Sequence, residues 1–352
     1  MTIASTLNSI RANRAWIPYF VLGISLMVTV FGAASVWILA EVQERAHFEN
    51  AAQSTQDTVS DRLEIYALLL RSTGGLFSAK LGANPEEFRA FVQSLQLHER
   101  YPGVRGIGWS IRLTPEQVPR LEDAMRKDIQ DDFRVWPLKP QRNEYHSIVY
   151  LEPPDARNRA AIGFDMHSDS VRAEAMDRAR DTGQPAASGV VRLLQEIDAD
   201  TQPGFLIYLP VYRNGGIPKT LEERRALLAG FVYTPFRIDD LLEGIFGTQT
   251  HPHIEFEVYD GSTSEATLLY RSGVRPPDAG PARLRAQSAL NVAGRSWTLR
   301  YFSRPESESA TGRDSGLGIA LVGTLVSLLL FGLTRAQTLA RESAERSAAD
   351  LE

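Results

Sequence analysis

WIPYFVLGISLMVTVFGAASVWILA, from Trp16 to Ala40, runs for 25 residues without a charge. At roughly 1.5 Å of rise per helical residue, a run of that length crosses a bilayer core of about 30 Å. Trp16, Tyr19 and Trp37 stand near its ends, where interfacial aromatics sit. A second uncharged run, SGLGIALVGTLVSLLLFGLT from Ser315 to Thr334, is closed by Arg335. The competing reading is a signal peptide plus a buried core helix. The first run is too long for a signal h-region and has no clear small-residue cleavage site, so two membrane spans are the better reading. Arg11 and Arg14 precede the first span, Glu41 and Glu44 follow it, and Arg335 and Arg341 follow the second. The positive-inside rule then places both termini in the cytoplasm of an inner (plasma) membrane and residues 41–314 outside it. That outer segment is ample for a core and far too long for a passive loop.

The whole chain has 352 residues, 43% of them hydrophobic and 23% charged, with a net charge of -5. This composition excludes a disordered protein, and the lack of a Lys/Arg tract argues against nucleic-acid binding, which needs a concentrated basic face. Cysteine is absent, which removes disulfides, thiolate zinc sites and cysteine nucleophiles together. The closing segment RAQTLARESAERSAADLE, from Arg335, is charged and free of Gly and Pro. It reads as a cytoplasmic signalling helix over 335–352, with any output domain expected beyond residue 352.

Between the spans, Glu41 to Leu70 has no Gly or Pro, and Val59, Leu63, Tyr66 and Leu70 recur at helical spacing, which predicts a stalk helix. Asn84 as N-cap, Pro85 at the first helical position and Glu86 and Glu87 in the first turn predict a second helix. Thr114-Pro115-Glu116-Gln117 opens a third with a capping-box pattern. Strand signals interleave: VRGIGWSIRL from Val104, HSIVYLE from His146, GFLIYLPVY from Gly204 and LLAGFVY from Leu227. After a short helix, RIDDLLEGIF, a second set follows near HIEFEVYD, TLLYRS, RLRAQSALNV and SWTLRYFS, with a hairpin turn expected at Ala293-Gly294-Arg295. Helices packed on antiparallel sheets make this an α+β chain with two consecutive modules.

Gly316, Gly318 and Gly323 have the wrong spacing for a dinucleotide fingerprint and lie in a span, so they read as helix-packing residues. His251 and His253 flank Pro252 in a loop without a supporting carboxylate pattern, and no metal site or cofactor is expected. No HExxH, GxSxG or P-loop occurs, and no catalytic residue is assigned. The stretch IGFDMHSDSVRAEAMDRARDTGQPAASGVVRLL, Ile162 to Leu194, is more informative. Ser168 can cap a helix whose apolar stripe is Val171, Ala175 and Ala179, and Gly183 can end it in a left-handed turn. Arg172 lies beside that stripe, and its plain reading is a solvated arginine paired with Asp169.

These blocks, taken in order, resemble the CHASE family, the extracytoplasmic sensors carried by histidine kinases, nucleotide cyclases and diguanylate cyclases, the plant cytokinin receptors among them. The resemblance rests on RSTGGLF from Arg71, ERYPGVRGIGW from Glu99, FDM…ARDTG from Phe164 to Gly183, RLL from Arg192, GFLIYLPVY from Gly204 and AGFVYTPFRIDDLL from Ala229, with the two flanking spans as the family has them. It implies a long stalk helix (41–80) carrying two tandem PAS-like modules, a membrane-distal one at 81–235 that binds a small molecule and a membrane-proximal one at 236–314. The first span would occupy 16–40, the second 315–334, and the stalks would form a homodimer.

Carried onto this chain, the family's pocket positions fall at Met166, Arg172, Leu194, Tyr208 and Phe231. The plant receptors have an aspartate where Arg172 stands, and an arginine cannot accept the bond which that aspartate takes from adenine. The expected ligand is therefore not a cytokinin held in the plant manner but a small anionic or carbonyl-rich molecule between Tyr208 and Phe231, with the guanidinium fork on its acidic group. The expected function is an extracytoplasmic small-molecule sensor signalling across the membrane to an output domain such as a histidine kinase, diguanylate cyclase or adenylate cyclase. Two alternatives stay open: an ectodomain that binds a partner protein, and a membrane-anchored ectoenzyme.

Overall fold

The computed structural model describes residues 16–80, 83–101, 103–128, 130–194, 202–247, 254–273, 282–304 and 312–349. The chain divides into two compact units, Ala51–Phe302 and a second one made of Met1–Asn50 with Ser303–Glu352.

Helix α1 runs unbroken over Ile17–Ala79, so the first apolar run and the stalk are one helix. The apolar runs of α1 and of the C-terminal helix Gly312–Ala349 are both long and apolar enough to cross a membrane. Met27 and Phe31 are about three-quarters exposed, so the rest of the protein leaves this face of the apolar run uncovered. The two runs pack on each other: the Tyr19 and Phe331 rings lie 5.3 Å apart, and a Cβ on Gly323 would stand 2.4 Å from Thr29 Cγ2. Gly323 thus acts as the small residue that lets two helices approach. Gly318 faces open space.

The larger unit starts with the stalk part of α1, followed by α2 (Pro85–Ser94) and the short α3 (Leu97–Arg100). Asn84 and Glu87 form the expected capping box at α2. Strand β1 (Ile107–Leu113) leads through a 3-10 turn at Pro115–Gln117 into α4 (Val118–Asp128). Then come β2 (Tyr145–Glu152), α5 (Ala156–Ala161), α6 (Ser170–Thr182) and β3 (Ala186–Ala187). Strand β4 (Gly204–Tyr212), α7 (Leu221–Leu227) and β5 (Leu228–Arg237) complete an antiparallel sheet of order β2-β1-β5-β4-β3. Every residue of β4 is buried, because the sheet is covered on both faces, and such strands read as continuous apolar runs. Pro210 is tolerated in β4 because β3 pairs only with Tyr208 and Ile207, which leaves Pro210 on an edge.

One face of this sheet packs on α1. Trp109 stacks on Phe77 at 4.2 Å, Phe236 meets Tyr66 at 5.3 Å, and Gly74 admits Leu209. Val59, Leu63, Tyr66 and Leu70 are all buried within the protomer, so the stripe serves the chain's own core. The other face packs under α6, where Ala175, Met176 and Ala179 join Tyr208, Phe231 and Tyr233 in one cluster.

After α8 (Ile238–Phe246), strands β6 (Ile254–Asp260), β7 (Leu268–Arg271), β8 (Arg285–Val292) and β9 (Arg295–Ser303) form a second sheet of order β7-β6-β9-β8. Its β8–β9 hairpin turns at Ala293 and Gly294, with φ of 45° and 78°, the left-handed pair that a two-residue turn demands. The C-terminal helix is α9 (Gly312–Ala349).

Candidate ligand site

Helix α6 begins one residue later than its sequence predicts. Asp169, not Ser168, is the N-cap, accepting from the backbone N–H of Val171 at 3.1 Å and of Arg172 at 3.0 Å. Ser168 instead donates its hydroxyl to the Asp165 carbonyl in the preceding 3-10 turn, Met166–Ser168. A carboxylate outcompetes a hydroxyl here because it also meets the positive end of the helix dipole. Gly183 ends the helix at φ 70°, as its position predicts.

The five expected positions come together. Met166 opens the 3-10 turn, and the Tyr208 hydroxyl points at its sulfur across 3.7 Å. The Tyr208 and Phe231 rings meet edge to face, 6.1 Å between centroids, and both are fully buried. Leu194, half-buried, packs against the same cluster. Arg172 is 5% exposed, not solvated. Its Nη1 lies 3.2 Å from Asp169 Oδ2, its Nη2 donates to the Arg192 carbonyl at 2.9 Å, and its guanidinium sits 5.4 Å over the Phe164 ring. The positive charge is therefore matched within its own helix turn, and the arginine ties α6 to the segment that carries Leu194.

Beside these residues lies a polar group that the sequence reading did not single out. Asp165 is fully buried, pairs with Arg142 at 2.8 Å and accepts the His146 backbone N–H at 2.8 Å. The His146 ring, also buried, is 5.2 Å from His167 and 5.4 Å from Phe231. His167 in turn reaches Asp177 at 3.1 Å. Burial pushes the His146 imidazole below its ordinary range. Its neighbour Glu144 is held down at about 2 by the His146 imidazole and by Arg112, whose Nη2 is 2.6 Å from Oε2. Burial also drives the Tyr208 and Tyr233 phenols up, so both stay protonated donors. Tyr233 was visible in principle: it stands two residues after Phe231 on one strand and so shares its face. His146 and Ser110 were not, since only the pairing of β1 with β2 and β5 brings them alongside Phe231.

No group of three or more His, Cys, Asp or Glu side chains with metal-binding geometry occurs among the described residues. His251 and His253 lie outside them.

A family model described as the CHASE domain matches residues 82–270, which take in all of the first sheet and the opening strands of the second. The chain belongs to the CHASE-domain family. The matched segment is thus a sensor domain. The CHASE chain is also 22% identical over 320 residues to a hybrid signal transduction histidine kinase A of Dictyostelium discoideum, covering 82% of its own length and 15% of the kinase. Among solved structures it is similar to an extracellular ligand-binding receptor from Desulfohalobium retbaense, with a TM-score of 0.43, 12% identity and coverage of 72% of this chain and 40% of that one. It is similar as well to the ligand-binding domain of the Pseudomonas aeruginosa amino acid chemoreceptor PctC in complex with GABA, with a TM-score of 0.42, 11% identity and coverage of 74% and 100%.

Proposed function

We propose that residues 41–314 of this CHASE chain form an extracytoplasmic small-molecule sensor. The two sheets are its tandem PAS-like modules, distal (81–235) and proximal (236–314), held between spans at 16–40 and 315–334 with both termini in the cytoplasm. Met166, Arg172, Leu194, Tyr208 and Phe231 line the distal ligand site, and the signal passes along 335–352 to an output domain of the kinase or cyclase type. The observation that carries this reading is the convergence of those five positions, from one 3-10 turn, one helix, one loop and two strands, on a single buried cluster under α6. A partner-protein receptor would instead offer an exposed apolar patch.

The link between modules supports a mechanical route. Ala187, at the end of β3, donates its N–H to the Ala293 carbonyl at 3.0 Å, and Arg178 of α6 donates to the Ala187 carbonyl at 2.5 Å. Arg295, paired to Asp260 at 2.5 and 2.7 Å, abuts Gly189. The wall of the distal site is thus bonded to the turn of the β8–β9 hairpin, and β9 is the last strand before α9 in chain order. The stalk dimer that this route needs falls to the outward face of α1, where Ile65 and Leu68 are exposed. A thermal-shift screen of the full chain in detergent against small metabolites tests the reading. A dose-dependent rise in melting temperature, lost in Arg172→Ala, supports it; no rise with any metabolite from folded protein refutes it.

A further inference from the structure

Three buried polar atoms on the α6-facing side of the first sheet have no hydrogen-bond partner among the described residues: Ser110 Oγ, His146 Nδ1 and the Tyr233 hydroxyl. All three residues are at most 1% exposed. Buried polar atoms in native proteins are almost always satisfied, so three orphans in one patch need an explanation.

They do share one patch. Ser110 lies directly opposite Phe231 on β5 and Ile148 on β2. His146 is two residues along β2 from Ile148, with its ring 5.4 Å from that of Phe231. Tyr233 is two residues along β5 from Phe231, and its ring lies over Gly108, where a Cβ would come within 2.5 Å of the hydroxyl. Gly108 is in turn two residues from Ser110. A two-residue step along a strand is about 6.6 Å, so Phe231 sits at the centre of the group.

The chemistry of each atom is fixed by its surroundings. The Glu144 carboxylate, 3.6 Å from His146 Nε2, favours the proton on that nitrogen, which leaves Nδ1 as a lone-pair acceptor on a neutral ring. The Tyr233 phenol is a donor, and the Ser110 hydroxyl can serve as either. The cations nearby are already matched: Arg172 by Asp169, Arg142 by Asp165 and Arg112 by Glu144. A ligand bringing a net charge to this patch finds no free counter-charge.

We infer that Ser110, His146 and Tyr233 read the polar edge of the ligand, and that the ligand is an uncharged molecule with an N–H donor next to a carbonyl acceptor, of the carboxamide or lactam type. The donor bonds to His146 Nδ1, the carbonyl accepts from Tyr233, and Ser110 completes whichever valence remains. The inference rests on the sensor reading above and narrows the anionic or carbonyl-rich ligand expected from the sequence to its neutral member.

The test uses the full chain in detergent with matched probes: nicotinamide against nicotinate, and uracil against orotate. Thermal shift and calorimetry should show binding of the neutral member of a pair, with Kd weakened about tenfold or more in Tyr233→Phe and in Ser110→Ala, the loss expected for one hydrogen bond to a buried partner. Both variants remove only a hydroxyl, and Tyr233→Phe should also raise the melting temperature of the ligand-free protein, which shows that a weakened Kd is not misfolding. Tighter binding of the anionic member, lost in Arg172→Met and kept in Tyr233→Phe, overturns the inference and leaves the sensor reading standing. So does a neutral ligand whose Kd is unchanged in both hydroxyl variants. A folded protein that binds no probe and no member of the wider metabolite screen overturns both.

Discussion

If Arg172 is matched by Asp169, the two residues must be energetically coupled, and a double-mutant cycle measures that coupling. Arg172→Met keeps the buried stem and removes the guanidinium; Asp169→Asn keeps an acceptor for the helix cap and removes the charge. Losing one partner of a buried pair costs about 3–5 kcal/mol, and of an exposed pair about 0.2–1 kcal/mol. The Arg172 side chain is 6% exposed but that of Asp169 is 36% exposed, so solvent screens one end and the pair falls between those limits. Arg172→Met also gives up a charged hydrogen bond to the Arg192 carbonyl at 2.9 Å. The single change should therefore cost about 2 kcal/mol, Asp169→Asn about 1 kcal/mol, and the double variant about 1 kcal/mol less than their sum. With about 2–4 °C per kcal/mol for a unit of this size, thermal unfolding followed by near-ultraviolet circular dichroism resolves every arm. A coupling within 0.3 kcal/mol of zero, on the scale at which independent sites add, refutes the pairing. Arg172 would then hold a free charge, and an anionic ligand would again be the better reading.

Three further outcomes follow from the packing. Gly108→Ala places a methyl within 2.5 Å of the Tyr233 ring and should destabilise by about 1–3 kcal/mol through overpacking, largely recovered in the double variant with Tyr233→Leu; an unchanged melting temperature shows that the ring does not cover Gly108. Because burial holds the His146 pKa below its unfolded value of 6.5, His146 contributes stability that is complete above about pH 6.5 and falls as pH drops, by up to about 1.4 kcal/mol per unit until the folded pKa is reached. Glu144, at about 2 in the folded state against 4.5, adds a second loss below about pH 4.5; His167 and Asp165 also face the ring, and in a melting curve series from pH 8 to 4 His146→Gln should abolish the first phase and shrink the second to the part that Arg112 sustains. Ile65→Lys with Leu68→Lys, on the exposed side of the stalk, should convert a dimer to a monomer in analytical ultracentrifugation while changing protomer stability by less than about 1 kcal/mol; a persisting dimer removes those residues from the interface.

What was legible in the sequence is what short-range chemistry decides. Asn84, Pro85 and Glu87 specify a helix start within four residues, and the structure has that capping box. The β8–β9 turn is legible for the same reason, since Ala293-Gly294 between two alternating runs leaves few backbone solutions. GFLIYLPVY is legible as a strand because it is a short apolar run, and its burial at every position is what the structure adds. The stalk stripe shows where such reasoning stops. Its spacing fixes which face of α1 is buried, but not what buries it, and a sheet of the same protomer takes the place that a partner helix could have taken. The sheet order β2-β1-β5-β4-β3 is of this kind too, because β5 inserts between β1 and β4 from far along the chain. The polar side chains of the candidate site were hidden by the same non-local pairing. His146 is an unremarkable residue in HSIVYLE until β1 and β5 set it beside Ser110 and Phe231.

That non-local assembly also bears on how a ligand could be heard across the membrane. A ligand shifts an equilibrium only by the difference in its affinity for two arrangements, so the residues that matter are those bonded to a part that moves. Phe231 and Tyr233 sit on a central strand paired on both sides and make a poor moving part. The opposite wall differs: Val191 meets the sheet through a single bridge to Gly204, Arg192 is held by Arg172, and Ala187 is bonded to the β8–β9 turn. A ligand anchored by its polar edge on the rigid strand and touching Leu194 on the looser wall would bias the position of that wall, and with it the hairpin that leads into α9. On this argument Tyr233→Phe weakens binding and signalling together, whereas Arg178→Ala, which cuts the bond from α6 to the Ala187 carbonyl, spares most of the binding and loses the signal. Equal losses of both in Arg178→Ala, measured as ligand Kd against output activity in a chain carrying its output domain, would show that the wall is not the transmitting part.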